Sequence, residues 1–164
     1  MRRALTCLGF LLIALTVPVK AQEGQPSSHA LVTEADLKWG EAPPALPKGA
    51  SFAVVSGDPA KPGPFTVRVK FPAGYTIAPH WHPTDEHVTV LAGTVAFGMG
   101  DKHDPAAMKD LTVGGFARMP AEMRHYVTAK SAATVQVHGV GPFTLVYVNP
   151  SDDPRKSSPP TKQQ

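Results

Sequence analysis

The 164-residue chain has a single cysteine, Cys7, which falls in its N-terminal segment. The body of the protein therefore has neither a disulfide to staple it nor a thiolate to react, and its stability must come from a packed core. Clustered basic charge is missing too. Residues 1–21 hold Arg2, Arg3 and Lys20 and no acid, so the formal charge of +3 falls to neutral once they are set aside. A neutral surface without a basic face gives no footing for nucleic acid or an anionic membrane as partner. Helical periodicity and internal repeats are also scarce. Only residues 104–109, Asp-Pro-Ala-Ala-Met-Lys, offer a cap and an early proline of the kind that opens a helix, and they are few.

What is present begins with an address. Met1-Arg2-Arg3 is followed by a mostly apolar run from Leu5 to Val19, then by the small residue Ala21 before Gln22. The run is short for a bilayer span and has the layout of a secretory signal peptide, with cleavage expected near Ala21. The expected location is periplasmic or secreted, with no membrane contact after cleavage. Residues 22–49 read as a leader and an extended arm, the latter carrying Trp39, Pro43, Pro44 and Pro47. From residue 50 to residue 149 the texture changes to short apolar or alternating runs broken by Gly, Pro, Asp and Ser. Strands are expected at 52–56, 65–71, 86–92, 94–99, 116–119, 125–129, 134–140 and 143–148. Many short strands with regular turns predict an all-β sandwich or barrel. The tail, 150–164, is rich in Pro, Ser, Lys and Gln and is expected to be disordered.

The chemistry lies in His80-Trp81-His82-Pro83-Thr84-Asp85-Glu86-His87-Val88-Thr89-Val90. Alternate residues of a strand share a face, so His80 and His82 can point one way. In the next strand Glu86 shares its face with Val88 and Val90. If those valines mark the interior, Glu86 points inward and His87 outward. A buried carboxylate is costly unless it is paired, hydrogen-bonded or bound to a cation. His125 shares a face with Val127 and Ala129 and reads as inward by the same parity. Three imidazoles and one carboxylate suit one divalent transition metal (Fe, Mn, Zn, Ni or Cu) better than Ca or Mg.

These residues resemble a known pattern. Gly74-x5-His80-x-His82-x3-Glu86-x6-Gly93 is similar to the first motif of the cupin superfamily at every fixed position, and Gly114-x5-Pro120 followed by His125 resembles the second. Glu122 stands where the family has a glycine, and Ala129 where it has an asparagine. The resemblance implies a double-stranded β-helix, or jelly-roll barrel, here with an extended N-terminal arm, and a metal held by His80, His82, Glu86 and His125. Cupins with this ligand set include dioxygenases, isomerases, oxalate-degrading enzymes, sensors and non-catalytic storage proteins, so the fold does not choose the activity. The expectation is a dioxygenase-like oxidoreductase acting on a small organic molecule, the alternative being a non-catalytic periplasmic module that captures a small ligand or metal. By analogy with cupin dimers, the arm suggests a homodimer.

Other residues have plainer readings. His87 is the alternative carboxylate-replacing ligand, and His138 reads as surface or, failing that, as a cavity group. His29 and His103 are assigned nothing. Arg68 and Lys70 read as a solvated face. Arg118 and Arg124 read as surface charge, the alternative being to steer an anion. Tyr75, Phe97 and Met119 read as core, the alternative being to line a pocket.

Overall fold

The computed structural model describes residues 30–156. The expected signal peptide, Cys7 and His29 lie outside them, as do residues 157–164 of the tail. Alternation of buried and exposed side chains sets the architecture. In β3 (Gly63–Phe71), Phe65, Val67, Val69 and Phe71 turn inward while Thr66, Arg68 and Lys70 turn out. The same period of two runs through β5 (Glu86–Ala92), with Glu86, Val88 and Val90 buried, and through β10 (Ala133–Gly141), with Val135 and Val137 buried.

Two antiparallel sheets result. One is ordered β1-β2-β3-β10-β5-β8, with β1 (Gly40–Glu41), β2 (Ser51–Ser56) and β8 (Phe116–Met119). The other is ordered β11-β4-β9-β6-β7, with β4 (Thr76–Trp81), β6 (Val95–Met99), β7 (Lys109–Leu111), β9 (His125–Ala129) and β11 (Val146–Tyr147). Their apolar faces meet around a single core, the two-layer solution for sheets that are wet on the outside only. The fold is the expected all-β jelly roll. Among the described residues no helix is long and apolar enough to cross a membrane.

Three expectations change. The short helix at 104–109 is one 3₁₀ turn, Pro105–Ala107, capped by Asp104 accepting from the Ala106 N–H, and β7 follows at once. The expected strands include none at 76–81, where β4 lies; its Pro79 sits where the β4–β9 register shifts, the irregular position at which a strand tolerates it. The first part of the tail is folded: Pro150–Asp152 forms a 3₁₀ turn, Asp153 is buried, and Arg155 donates to the Leu145 carbonyl at 3.1 Å.

The arm lies on its own barrel. Glu34 accepts from Arg68 at 2.8 Å and from Lys70 at 3.1 Å, and the Lys70 ammonium sits 3.8 Å over the Trp39 ring. Arg68 and Lys70 therefore hold the arm down rather than forming a wholly solvated face. Further along, the Tyr75 hydroxyl donates to the Pro47 carbonyl and the Tyr147 hydroxyl to that of Ala45.

Candidate metal centre

β4, β9 and the segment after β4 bring three histidines together. His80 pairs with His125 across the β4–β9 ladder, and their rings lie 4.2 Å apart, centroid to centroid. His82, just past the end of β4, has its centroid 5.1 Å from that of His80 and 5.4 Å from that of His125. One nitrogen from each ring lies within 4.8 Å of the other two, close enough to hold one ion. All three residues are buried.

The backbone fixes which nitrogen faces the centre. The Nδ1 atoms of His80, His82 and His125 meet the carbonyls of Ala78, Thr144 and Met123 at 2.8, 2.8 and 2.9 Å. A carbonyl can only accept, so each Nδ1 carries its proton and donates it. In the neutral ring Nε2 then presents a lone pair. The Nε2 atoms of His82 and His125 are buried with no hydrogen-bond partner. The acid expected among them arrives from β5: Glu86 Oε2 lies 3.6 Å from His82 Nε2 and 3.3 Å from His125 Nε2. Lone pairs facing a carboxylate across such gaps repel unless a proton or a cation lies between them. This donor set, three oriented imidazoles beside a carboxylate, fits a divalent transition metal.

Electrostatics point the same way. Burial, with His125 and His82 as like-charged neighbours, holds His80 well below its ordinary value, at about 3. Burial also lowers His82, with Glu86 opposing it. Burial alone would raise the Glu86 carboxyl, but the surrounding imidazoles, His125 first, bring it down to about 2. Burial thus favours the neutral form of His80 and His82, while the Glu86 carboxyl is held ionised.

The turn before His125 is held to the His82 segment. Met123 N–H donates to Pro120 O at 3.0 Å, closing a four-residue turn, and Glu122 N–H reaches His82 O at 2.8 Å. Glu122 takes φ 64°, the left-handed region that the third position of such a turn requires. Glu122 thus adopts a backbone conformation that favours glycine. Asp85 adds a second tie, accepting from Ala121 N at 2.9 Å and from Arg118 at 2.7 Å.

The family model for the ChrR cupin-like domain matches residues 27–143, most of the chain. The chain belongs to the cupins. No match is found among curated proteins. Among solved structures the cupin barrel is similar to the polyketide cyclase RemF of Streptomyces resistomycificus, with a TM-score of 0.63, 16% identity, and coverage of 79% of this chain and 92% of that one. A candidate acetylacetone dioxygenase from Methylibium petroleiphilum PM1 gives a TM-score of 0.61 at 20% identity, over 80% of this chain and 88% of that one. An RmlC-like cupin from Ralstonia eutropha JMP134 gives 0.58 at 17% identity, over 77% and 76%. At these identities the likeness is one of fold.

The remaining sequence candidates fall elsewhere. His87 points out of the barrel and stacks on His138, centroids 4.9 Å apart and planes at 10°, so neither joins the cluster. His103 lies beside Thr128 and Tyr126 at the surface. Arg124 pairs with Asp101 at 2.6 Å, and Arg118 with Asp85, so both cations are already partnered. Tyr75 and Met119 are core, whereas Phe97 is both core and cavity wall. Sequence reasoning missed the Thr144 and Met123 carbonyls that aim the rings, because a backbone acceptor has no residue signature. It also missed Phe143, whose ring stacks on His82 at 4.2 Å, and Arg155, which lines the same cavity.

Proposed function

We propose that this cupin is an exported, metal-dependent oxidoreductase of dioxygenase type, acting on a small organic molecule, with His80, His82, His125 and Glu86 as its metal ligands. The observation that carries the reading is the orientation of the rings: three carbonyls hold three Nδ1–H groups outward, so that unprotonated Nε2 atoms converge beside a buried carboxylate. When bound, the metal would supply Lewis acidity and open coordination positions for substrate and O₂. The chain itself supplies orientation and dryness. Phe143 covers one face of His82, and the donors open into a cavity of about 360 Å³, within the range of ligand pockets. Export rests on the residue pattern of 1–21.

The alternative is a non-catalytic binder of a small ligand or metal. It is favoured by one feature: among the described residues, no side chain lining the cavity apart from the histidines and Glu86 is placed to act as a general base. Metal analysis and oxygen uptake separate the readings. Purified protein is expected to carry about one transition metal per chain and to consume oxygen with some member of a panel of small phenols and diketones. Metal without oxygen uptake supports the binder, and a protein that stays folded and takes up no added metal refutes both. Recovery of the mature chain, starting near Gln22, from an extracytoplasmic fraction tests export.

A further inference from the structure

The cavity beneath the histidines has an unusual balance of surfaces. Its walls are drawn from the inward faces of β3 and β10, with Phe65, Val67, Val69, Phe71, Val135 and Val137 among them. Pro43, Pro44 and Leu46 of the arm close one side. Among the described residues, the lining side chains other than the histidines include two that carry charge, Glu86 in the donor cluster and Arg155.

Arg155 is already paired with a carboxylate of this chain. Its Nε and one terminal nitrogen donate to the two carboxylate oxygens of Asp153 at 2.7 and 2.8 Å, and the same terminal nitrogen donates to Leu145 O at 3.1 Å. Asp153 is buried and the Arg155 side chain partly exposed, so the fork-to-fork pair is anchored from its aspartate side. Leu145 follows Thr144, whose carbonyl aims His82. The guanidinium thus lines the cavity with a carboxylate already on it.

Taking the metal reading above as given, we infer that the cavity accepts an uncharged molecule with a largely apolar body and one oxygen-bearing end that reaches the histidine cluster, and that Asp153 sets this preference by occupying Arg155. A carboxylate on such a ligand would be desolvated against valine and phenylalanine, with the lining guanidinium already paired to Asp153. At the density of a well-filled interior, about 360 Å³ suits a molecule of about ten to fifteen heavy atoms.

Calorimetry on the metal-loaded, full-length mature protein tests this with two probes of one skeleton, 1-phenyl-1,3-butanedione and its 4-carboxyphenyl analogue. The neutral diketone is expected to bind, and the carboxylate to bind about 100-fold more weakly. Asp153→Asn, which releases Arg155, should narrow that gap about tenfold or more. Val67→Phe, or Val135→Phe if the first variant folds poorly, should abolish neutral binding with the metal content unchanged. A carboxylate that binds the native protein as tightly as the neutral probe overturns the inference. So does neutral binding that survives both filled cavities, or no binding by either probe. Naphthalene, which has no chelating end, keeps this result apart from the metal reading. If the protein never holds metal yet binds naphthalene in a way that Val67→Phe removes, the proposed enzyme falls and the apolar cavity stands.

Discussion

Replacing Glu86 by glutamine should move two properties of this protein in opposite directions. In metal-free protein at pH 8, above the ordinary imidazole range, the carboxylate has nothing to donate to the lone pairs of His82 and His125, 3.6 and 3.3 Å away. Each buried acceptor left unpaired costs about 1–3 kcal/mol. A glutamine amide in the same position has two hydrogens to offer them and carries no charge to desolvate. Allowing for imperfect angles, the metal-free variant should be about 1–3 kcal/mol more stable, a rise of about 1 M in urea midpoint for a domain of this size. Metal binding should suffer. Partners outside a metal's coordination sphere are worth about 10- to 100-fold in affinity, so losing an anionic ligand should cost about 100-fold or more. Urea unfolding followed by fluorescence reads the first quantity, and competition against a chromophoric chelator reads the second. A variant that is less stable without metal and binds metal like the native protein would refute the arrangement of acceptors on which the site is built.

Three further outcomes follow from the packing. Gly98 lies opposite Tyr126, and a Cβ there would come within 2.1 Å of that fully buried ring, so Gly98→Ala should destabilise the fold by about 2–4 kcal/mol in chemical denaturation; a loss below about 1 would mean that the β6–β9 contact yields easily. Glu122→Gly relieves the left-handed residue of the turn before His125 but adds freedom to the unfolded chain, for a net gain of about 0.5–1 kcal/mol in thermal melts, and a clear loss would contradict the strain argument. Metal-free protein should lose stability as the pH falls from 7 to 5. His80 is held at about 3 in the fold against 6.5 in the open chain, so between those values the unfolded state binds the extra proton; at pH 5 this ring contributes a loss of about 2 kcal/mol, and Glu86, held at about 2, adds a loss of the same sign only below 4.5. Equal urea midpoints at the two pH values would show that the ring is not buried as neutral.

Much of the barrel could be read along the chain because its information is local. Strands β5, β8 and β9 begin and end where runs of apolar and alternating residues do, and Glu86 and His125 face inward by counting twos from Val88, Val90, Val127 and Ala129. β4 was harder, because Pro79 obscures the alternation on which such counting depends. The fate of Arg68, Lys70 and Arg155 could not be read at all. A charged side chain looks the same in sequence whether it meets water, Glu34 or a buried Asp153.

The sequence alone determined which residues can serve as donors and which way they face, because side-chain direction along a strand repeats every second residue whatever the strand packs against. Only the tertiary structure decided that three imidazoles meet with their Nε2 atoms inward and that, among the described residues, the arginine lining the cavity is paired with Asp153. Those outcomes depend on the Ala78, Thr144 and Met123 carbonyls and on an aspartate near the far end of the chain. Backbone acceptors and long-range ion pairs act through distance and angle in space, and residue order does not encode either of these directly.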